Sequence, residues 1–306
     1  WAACRLAEEG QPRGLVILSV IVAPLSLVNG LFGQTGFLTG ALLCGGLALL
    51  PRRPVWAGIL FGLLTIKPQL GILVPVALLA ARAWWAILAA MLTTLALAIA
   101  SGLILGWDMW PAWAATMTRH VGLMDGGRVL QTQMMPTVLI ALLDRGLPAV
   151  LAWAIQGAAC GIAIWAVWHC YRRDSGIASA AVLVAATFLA TPYAFIYDLP
   201  AVSVTMIVML LSRLRAGGKL PSAEIAVVLV GQMAPAAMTW RSSGSVMLVL
   251  TLALLVALAM RRVPRGQTPD GKGRSGDAVP RTPCPRGDGG RVVPGPPSVG
   301  SDARGG

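Results

Sequence analysis

Acidic side chains are scarce in this sequence: 12 aspartates and glutamates stand against 24 lysines and arginines, and charged residues of either sign make up only 12% of the 306 residues. A soluble globular domain carries about twice that charged fraction, so an ordinary water-exposed fold is excluded. Histidine occurs only twice. The five cysteines (Cys4, Cys44, Cys160, Cys170 and Cys284) show no CxxC or metal-ligand spacing. They read as small buried hydrophobes and one stray thiol near the C-terminus, so no metal site is expected. No phosphate-binding P-loop and no dinucleotide glycine fingerprint is present. Their absence argues against an ATP-driven pump or a redox enzyme, and no cofactor is expected.

Apolar residues are what the chain has in abundance. They make up 57% of it, with a mean hydropathy of +0.75. The pattern predicts an all-α, polytopic transmembrane helical bundle. Apolar runs extend over Leu15 to Val28, Phe37 to Leu50, Val55 to Ile66, Leu70 to Ala81, Trp84 to Leu105, Leu147 to Trp168, Ala178 to Thr191, Leu199 to Leu211, Ala223 to Met238 and Val246 to Met260. Several fall short of the ~20 residues a perpendicular span needs, so short, tilted or broken helices are expected. This membrane domain covers residues 1–262. Residues 263–306 lose all periodicity and are rich in glycine, proline and arginine, which predicts a disordered basic tail. That tail has no aromatic residue for base stacking, and nucleic acid is not an expected partner. The chain opens on Trp1, and no leader precedes the first apolar run. An N-terminal portion is therefore expected to be missing.

One cation breaks the apolar run from Val55 to Ala81: Lys67, followed by Pro68 and Gln69. A charge at bilayer depth is costly and reads by default as functional. Proline removes a backbone donor, so the run divides into two half-helices at Lys67-Pro68-Gln69. If these form an up-and-down pair, the connectors sort by charge. One set holds Arg5, Arg13, Arg52, Arg53, Arg82, Arg172, Arg173, Arg213, Arg215, Lys219, Arg261 and Arg262; the other holds only Lys67, Arg119, Arg128, Arg145 and Arg241. The positive-inside rule places the richer set in the cytoplasm and Lys67 outside.

The outer set carries the candidates for chemistry, each with a plainer alternative. Asn29 to Gly36 offers amides and flexible backbone, or simply a tight turn between helices. Lys67 and Gln69 either line a binding cavity or mark a hairpin apex from which the lysine snorkels. Asp198 either caps a helix or orients a substrate. Trp107, Trp110 and Trp113 recur at helical spacing beside Asp108, as in an interfacial helix. His120 and Asp125 are the remaining acid–base candidates, more simply read as solvated loop residues.

Taken in order, Asn29 to Gln34 with Gly36-Phe37-Leu38-Thr39, Arg52 to Gly58, Gly62-Leu63-Leu64, Lys67-Pro68-Gln69, Thr191-Pro192-Tyr193 and Tyr197-Asp198-Leu199 resemble the polyprenyl-phosphate-dependent glycosyltransferases of family 87. The resemblance covers Leu15 to Leu211. It implies a GT-C fold and a plasma-membrane hexosyltransferase, related to mannosyltransferases, whose active site faces the extracytoplasmic side. The implied partners are a polyprenyl-phosphate sugar donor, a lipid or glycan acceptor and membrane lipids. In such enzymes the principal carboxylate base sits in the first long outer loop, which is expected to lie before Trp1. Asp198 is then a supporting catalytic residue, while Lys67 meets the donor phosphate and Gln69, Gln34, Asn29, Tyr193 and Tyr197 bind substrate. The alternative is a transporter or flippase of a lipid-linked sugar; no second copy of Lys67-Pro68-Gln69 is found to support it.

Overall fold

The computed structural model describes residues 13–116, 134–215, 221–238 and 243–263. His120, Asp125 and Arg128, the cations Arg5, Arg119, Lys219 and Arg241, and the basic tail beyond Val263 lie outside them. Among the described residues the fold is all-helical. The first apolar run is two helices, α1 (Arg13–Val22) and α2 (Pro24–Phe32), because Pro24 cannot donate into a continuous helix and instead takes the first position of the second. α3 follows at Gly36–Leu49 and α4 at Pro54–Leu63. Between α2 and α3, Gly33 adopts the left-handed conformation (φ 59°) and its N–H closes on the Gly30 carbonyl, the usual helix stop.

Beyond α4 the chain tightens into two 3₁₀ turns, Leu64–Ile66 and Pro68–Gly71, before α5 (Val74–Ala80). α6 (Trp84–Leu105) comes next, and Gly106 (φ 90°) ends it. Gly58 packs on Ala86 and Ala89 of α6, and Gly62 on Ala90 and Thr93. The two helices therefore run side by side in the same direction, on glycines four residues apart that let their backbones meet. The chain between them must turn back, and it does so at Lys67. A short helix at 109–116 carries Trp110 and Trp113, whose rings meet edge to face at 6.4 Å.

α7 (Val138–Leu143) is capped by Thr137, whose Oγ1 accepts the Ile140 N–H. None of the expected apolar runs covers it. The remaining helices are α8 (Ala149–Tyr171), α9 (Ile177–Ala190), α10 (Pro200–Arg215), α11 (Ser222–Met238) and α12 (Ser243–Met260), each within a few residues of its apolar run. α9 is the core helix. Nearly all its residues are buried, and its alanines let α8, α10 and α12 and the Pro68–Gly71 turn close around it. α6 is the opposite case, exposing Met91, Leu92, Leu95, Leu103 and Ile104. α6 and α8 are each long and apolar enough to cross a membrane.

Candidate functional site

The site forms where two irregular segments meet. On one side Pro68 disfavours helical backbone in the residue before it, and Lys67 accordingly sits at φ −133°, ψ 79° between the two 3₁₀ turns. On the other, Pro192 ends α9, with Thr191 extended at ψ 132° and its Oγ1 accepting the Tyr193 N–H. The chain then forms a 3₁₀ turn at Ile196–Asp198. Asp198, third in that turn, reaches back so that Oδ2 accepts the Phe195 N–H at 3.3 Å.

These two segments join through charge. Lys67 Nζ donates to Asp198 Oδ1 at 2.6 Å, with the side chains 19% and 1% exposed respectively. The aspartate is thus sealed in with both oxygens engaged. The lysine keeps two N–H donors and some access to the outside. Its ammonium also lies 5.2 Å from the centre of the Tyr197 ring, within cation–π range.

Aromatic rings line the aspartate's side. Tyr193 meets Phe195 edge to face at 5.2 Å, Phe195 stacks on Tyr197 at 4.9 Å, and Phe32 of α2 closes the row at 6.1 Å from Tyr197. Burial first, then the neighbouring Asp198 charge, pushes both phenols up, Tyr197 to about 12. Both therefore remain neutral hydrogen-bonding groups at any physiological pH. Asn29 anchors the row, its Nδ2 donating to the Tyr197 carbonyl at 2.6 Å. Gly36 lies directly under that bond, and a Cβ there would collide with both partners.

Of the residues singled out in the sequence, Lys67, Asp198, Tyr197 and Asn29 are brought together, and Tyr193 joins them through Phe195. Gln34 stands exposed in the turn before α3 and Gln69 is partly exposed; neither side chain bonds to the ion pair. Phe32, Gly36 and Phe195 belong to the site but carried no chemical signal, because rings and a missing side chain act only through packing. Gln156 was equally silent. Buried in α8, it accepts the Leu139 N–H and donates to the Leu189 and Ala190 carbonyls, fixing the end of α9 from which the Tyr193–Asp198 segment departs. Among the described residues, no group of three or more His, Cys, Asp or Glu side chains could hold a metal.

An apolar cleft of about 570 Å³ opens at Pro68, the residue after Lys67. It lies between α4, α5 and α6, with Leu64, Pro68, Val74, Leu78, Met91 and Leu95 in its walls. Lys67 does not itself line it, but a cation one residue along the chain from an apolar trough suits a ligand with an anionic head and a long hydrocarbon tail.

No curated protein and no solved structure matches the chain. The sequence model described as Glycosyltransferase family 87 matches residues 1–192, a span that takes in Asn29, Gly36, Lys67 and Gln156 and stops just before Tyr193, Tyr197 and Asp198. Those last three are tied to the matched span through Lys67 and Asn29, which contact Asp198 and Tyr197. The match spans more than half of the 306 residues, and the chain belongs to glycosyltransferase family 87.

Proposed function

We propose that this glycosyltransferase is a multi-pass membrane protein that takes a hexose, mannose being the first candidate, from a polyprenyl-phosphate donor at the extracytoplasmic face. The acceptor in this reading is a lipid or glycan hydroxyl. The observation that carries it is the Lys67–Asp198 pair, linked along the chain to Pro68, which walls the apolar cleft: in this reading Lys67 meets the phosphate and the cleft takes the first isoprene units. As the sugar leaves, charge grows on the phosphate oxygen, and a lysine already fixed by Asp198 and Tyr197 stabilises it without reorganisation. Asp198 acts as a positioning residue in this scheme. Its two oxygens already hold Lys67 and the Phe195 N–H, and removal of the acceptor proton falls to another base.

Membrane placement is supported by the exposed apolar face of α6 and by the distribution of charge. Arg82 lies with Arg172 and Arg173 at the end of α5 away from the Lys67 turn, and Arg213 and Arg262 share Glu224, so cationic groups gather at helix ends other than the Lys67 turn. That asymmetry supports an outward-facing Lys67.

The test is transfer of radiolabelled hexose from a polyprenyl-phosphate donor by membranes containing the protein, compared with Lys67→Ala. The expected result is product from the parent and a loss of at least ~100-fold in the variant, since one preorganised charge contributes on that scale. Undiminished transfer by Lys67→Ala would overturn the site. Passage of the donor across vesicles with no product formed would favour the flippase reading instead.

A further inference from the structure

A second polar site lies at the other end of α5. There the chain turns from α5 into α6 and meets the end of α8, enclosing a polar pocket of about 570 Å³ lined by Ala80, Ala81, Arg82, Tyr171, Arg172, Arg173, Asp174 and Ser175. Arg82 is the one non-glycine residue with positive φ (54°) among those described, a conformation disfavoured for a side-chain-bearing residue and retained here at the mouth of the pocket. Asp174, the pocket's single carboxylate, turns Oδ2 to the Gly176 N–H at 2.9 Å and forms no ion pair among the described residues. The guanidinium groups of Arg82, Arg172 and Arg173 likewise form no ion pair among the described residues. Against one carboxylate they leave an excess of two positive charges around one polar cavity.

Its surroundings suggest the source of an anion. Trp84 and Trp85 (62% and 67% exposed) open α6 immediately after Arg82, and Trp168 (43% exposed) lies in the last turn of α8 just before Tyr171. Exposed tryptophans at the ends of apolar helices belong at headgroup depth. A basic pocket between helix ends at that depth has the chemistry that recognises lipid phosphate.

We propose that Arg82, Arg172 and Arg173 form a binding site for the phosphate headgroup of an anionic phospholipid in the leaflet opposite the Lys67 site. The proposal rests on the membrane placement above and not on the sugar-transfer chemistry.

The experiment uses the full chain in phosphatidylcholine nanodiscs doped with phosphatidylglycerol, with retained phosphatidylglycerol counted by native mass spectrometry. The parent retains it, and Arg172→Gln/Arg173→Gln weakens retention by roughly tenfold or more, as expected for the loss of two surface cations. Arg82→Gln lowers it further. Arg261→Gln, an exposed arginine outside the pocket, leaves retention unchanged. Equal loss in Arg261→Gln, or no preference over phosphatidylcholine in the parent, would overturn the site by reducing it to general surface attraction. Thermal stabilisation by inorganic phosphate, with none from phosphatidylglycerol, would overturn the lipid assignment. Hexose transfer measured on the same samples reports on the Lys67 site separately, so the two readings fail independently.

Discussion

At the scale of single residues, the site is governed by how little freedom its charges have. Removing one partner of a buried ion pair leaves the other uncompensated, at a cost of about 3–5 kcal/mol. Lys67→Met is therefore expected to lower the melting temperature in detergent sharply. Lys67→Met/Asp198→Leu should regain much of that stability while staying inactive, and a double variant as unstable as the single one would contradict the pairing. Gly36→Ala tests the same corner by packing. A Cβ there meets the Tyr197 backbone carbonyl as well as Asn29, so both the melting temperature in detergent and the transfer rate should fall, and an unchanged melting temperature would contradict the close approach. The tyrosine predicts a pH effect of definite sign. Because the Tyr197 phenol is held above its ordinary value of 10.0, at about 12, the folded state binds that proton more tightly than the unfolded chain. The resulting stability is fully present below pH ~10 and is lost as pH rises towards 12. Tyr197→Phe should flatten that part of a melting-temperature profile; an unchanged alkaline slope would assign it elsewhere.

At the scale of elements, the close approach of α4 and α6 rests on Gly58 and Gly62. Gly62→Val places a branched side chain against Ala90 and Thr93, and overpacking of this kind costs about 1–3 kcal/mol. Since these helices also form two walls of the apolar cleft, the variant should raise KM for a long-chain donor more than for a short-chain one. Equal effects on both would separate the packing from the cleft. The elements themselves were largely legible beforehand. Apolar runs end where proline or glycine interrupts the backbone, and α6, α8 and α9 lie close to their predicted bounds. Two were not. The α1–α2 break was hidden inside a run whose hydrophobicity continues across Pro24, and α7 has only six residues, too few to display a period. The ion pair was half legible: Lys67 and Asp198 each stood out by chemistry, but nothing local links residues so far apart. Asn29, which reads equally well as a turn residue, shows its role only against Tyr197.

At the scale of the whole molecule, the proposed topology puts the two arginine-rich ends and Lys67 on opposite sides of the membrane. Single cysteines at Gln34 and at Arg261, both exposed, introduced into a cysteine-free background, test this directly. In right-side-out vesicles a membrane-impermeant thiol reagent should label position 34 and spare 261. Labelling of both in sealed vesicles would rule the topology out.

The separation of Lys67 and Asp198 along the chain, 131 residues, also has a consequence in time. At ~5–20 residues per second, Asp198 leaves the ribosome roughly ten seconds after Lys67. Throughout that interval the lysine enters its surroundings with no counter-ion yet made. The 3₁₀ turns flanking Pro68 form from neighbouring residues alone, so they can hold the ammonium at the hairpin apex until its partner arrives. Biogenesis, as well as catalysis, thus places a demand on the break at Pro68.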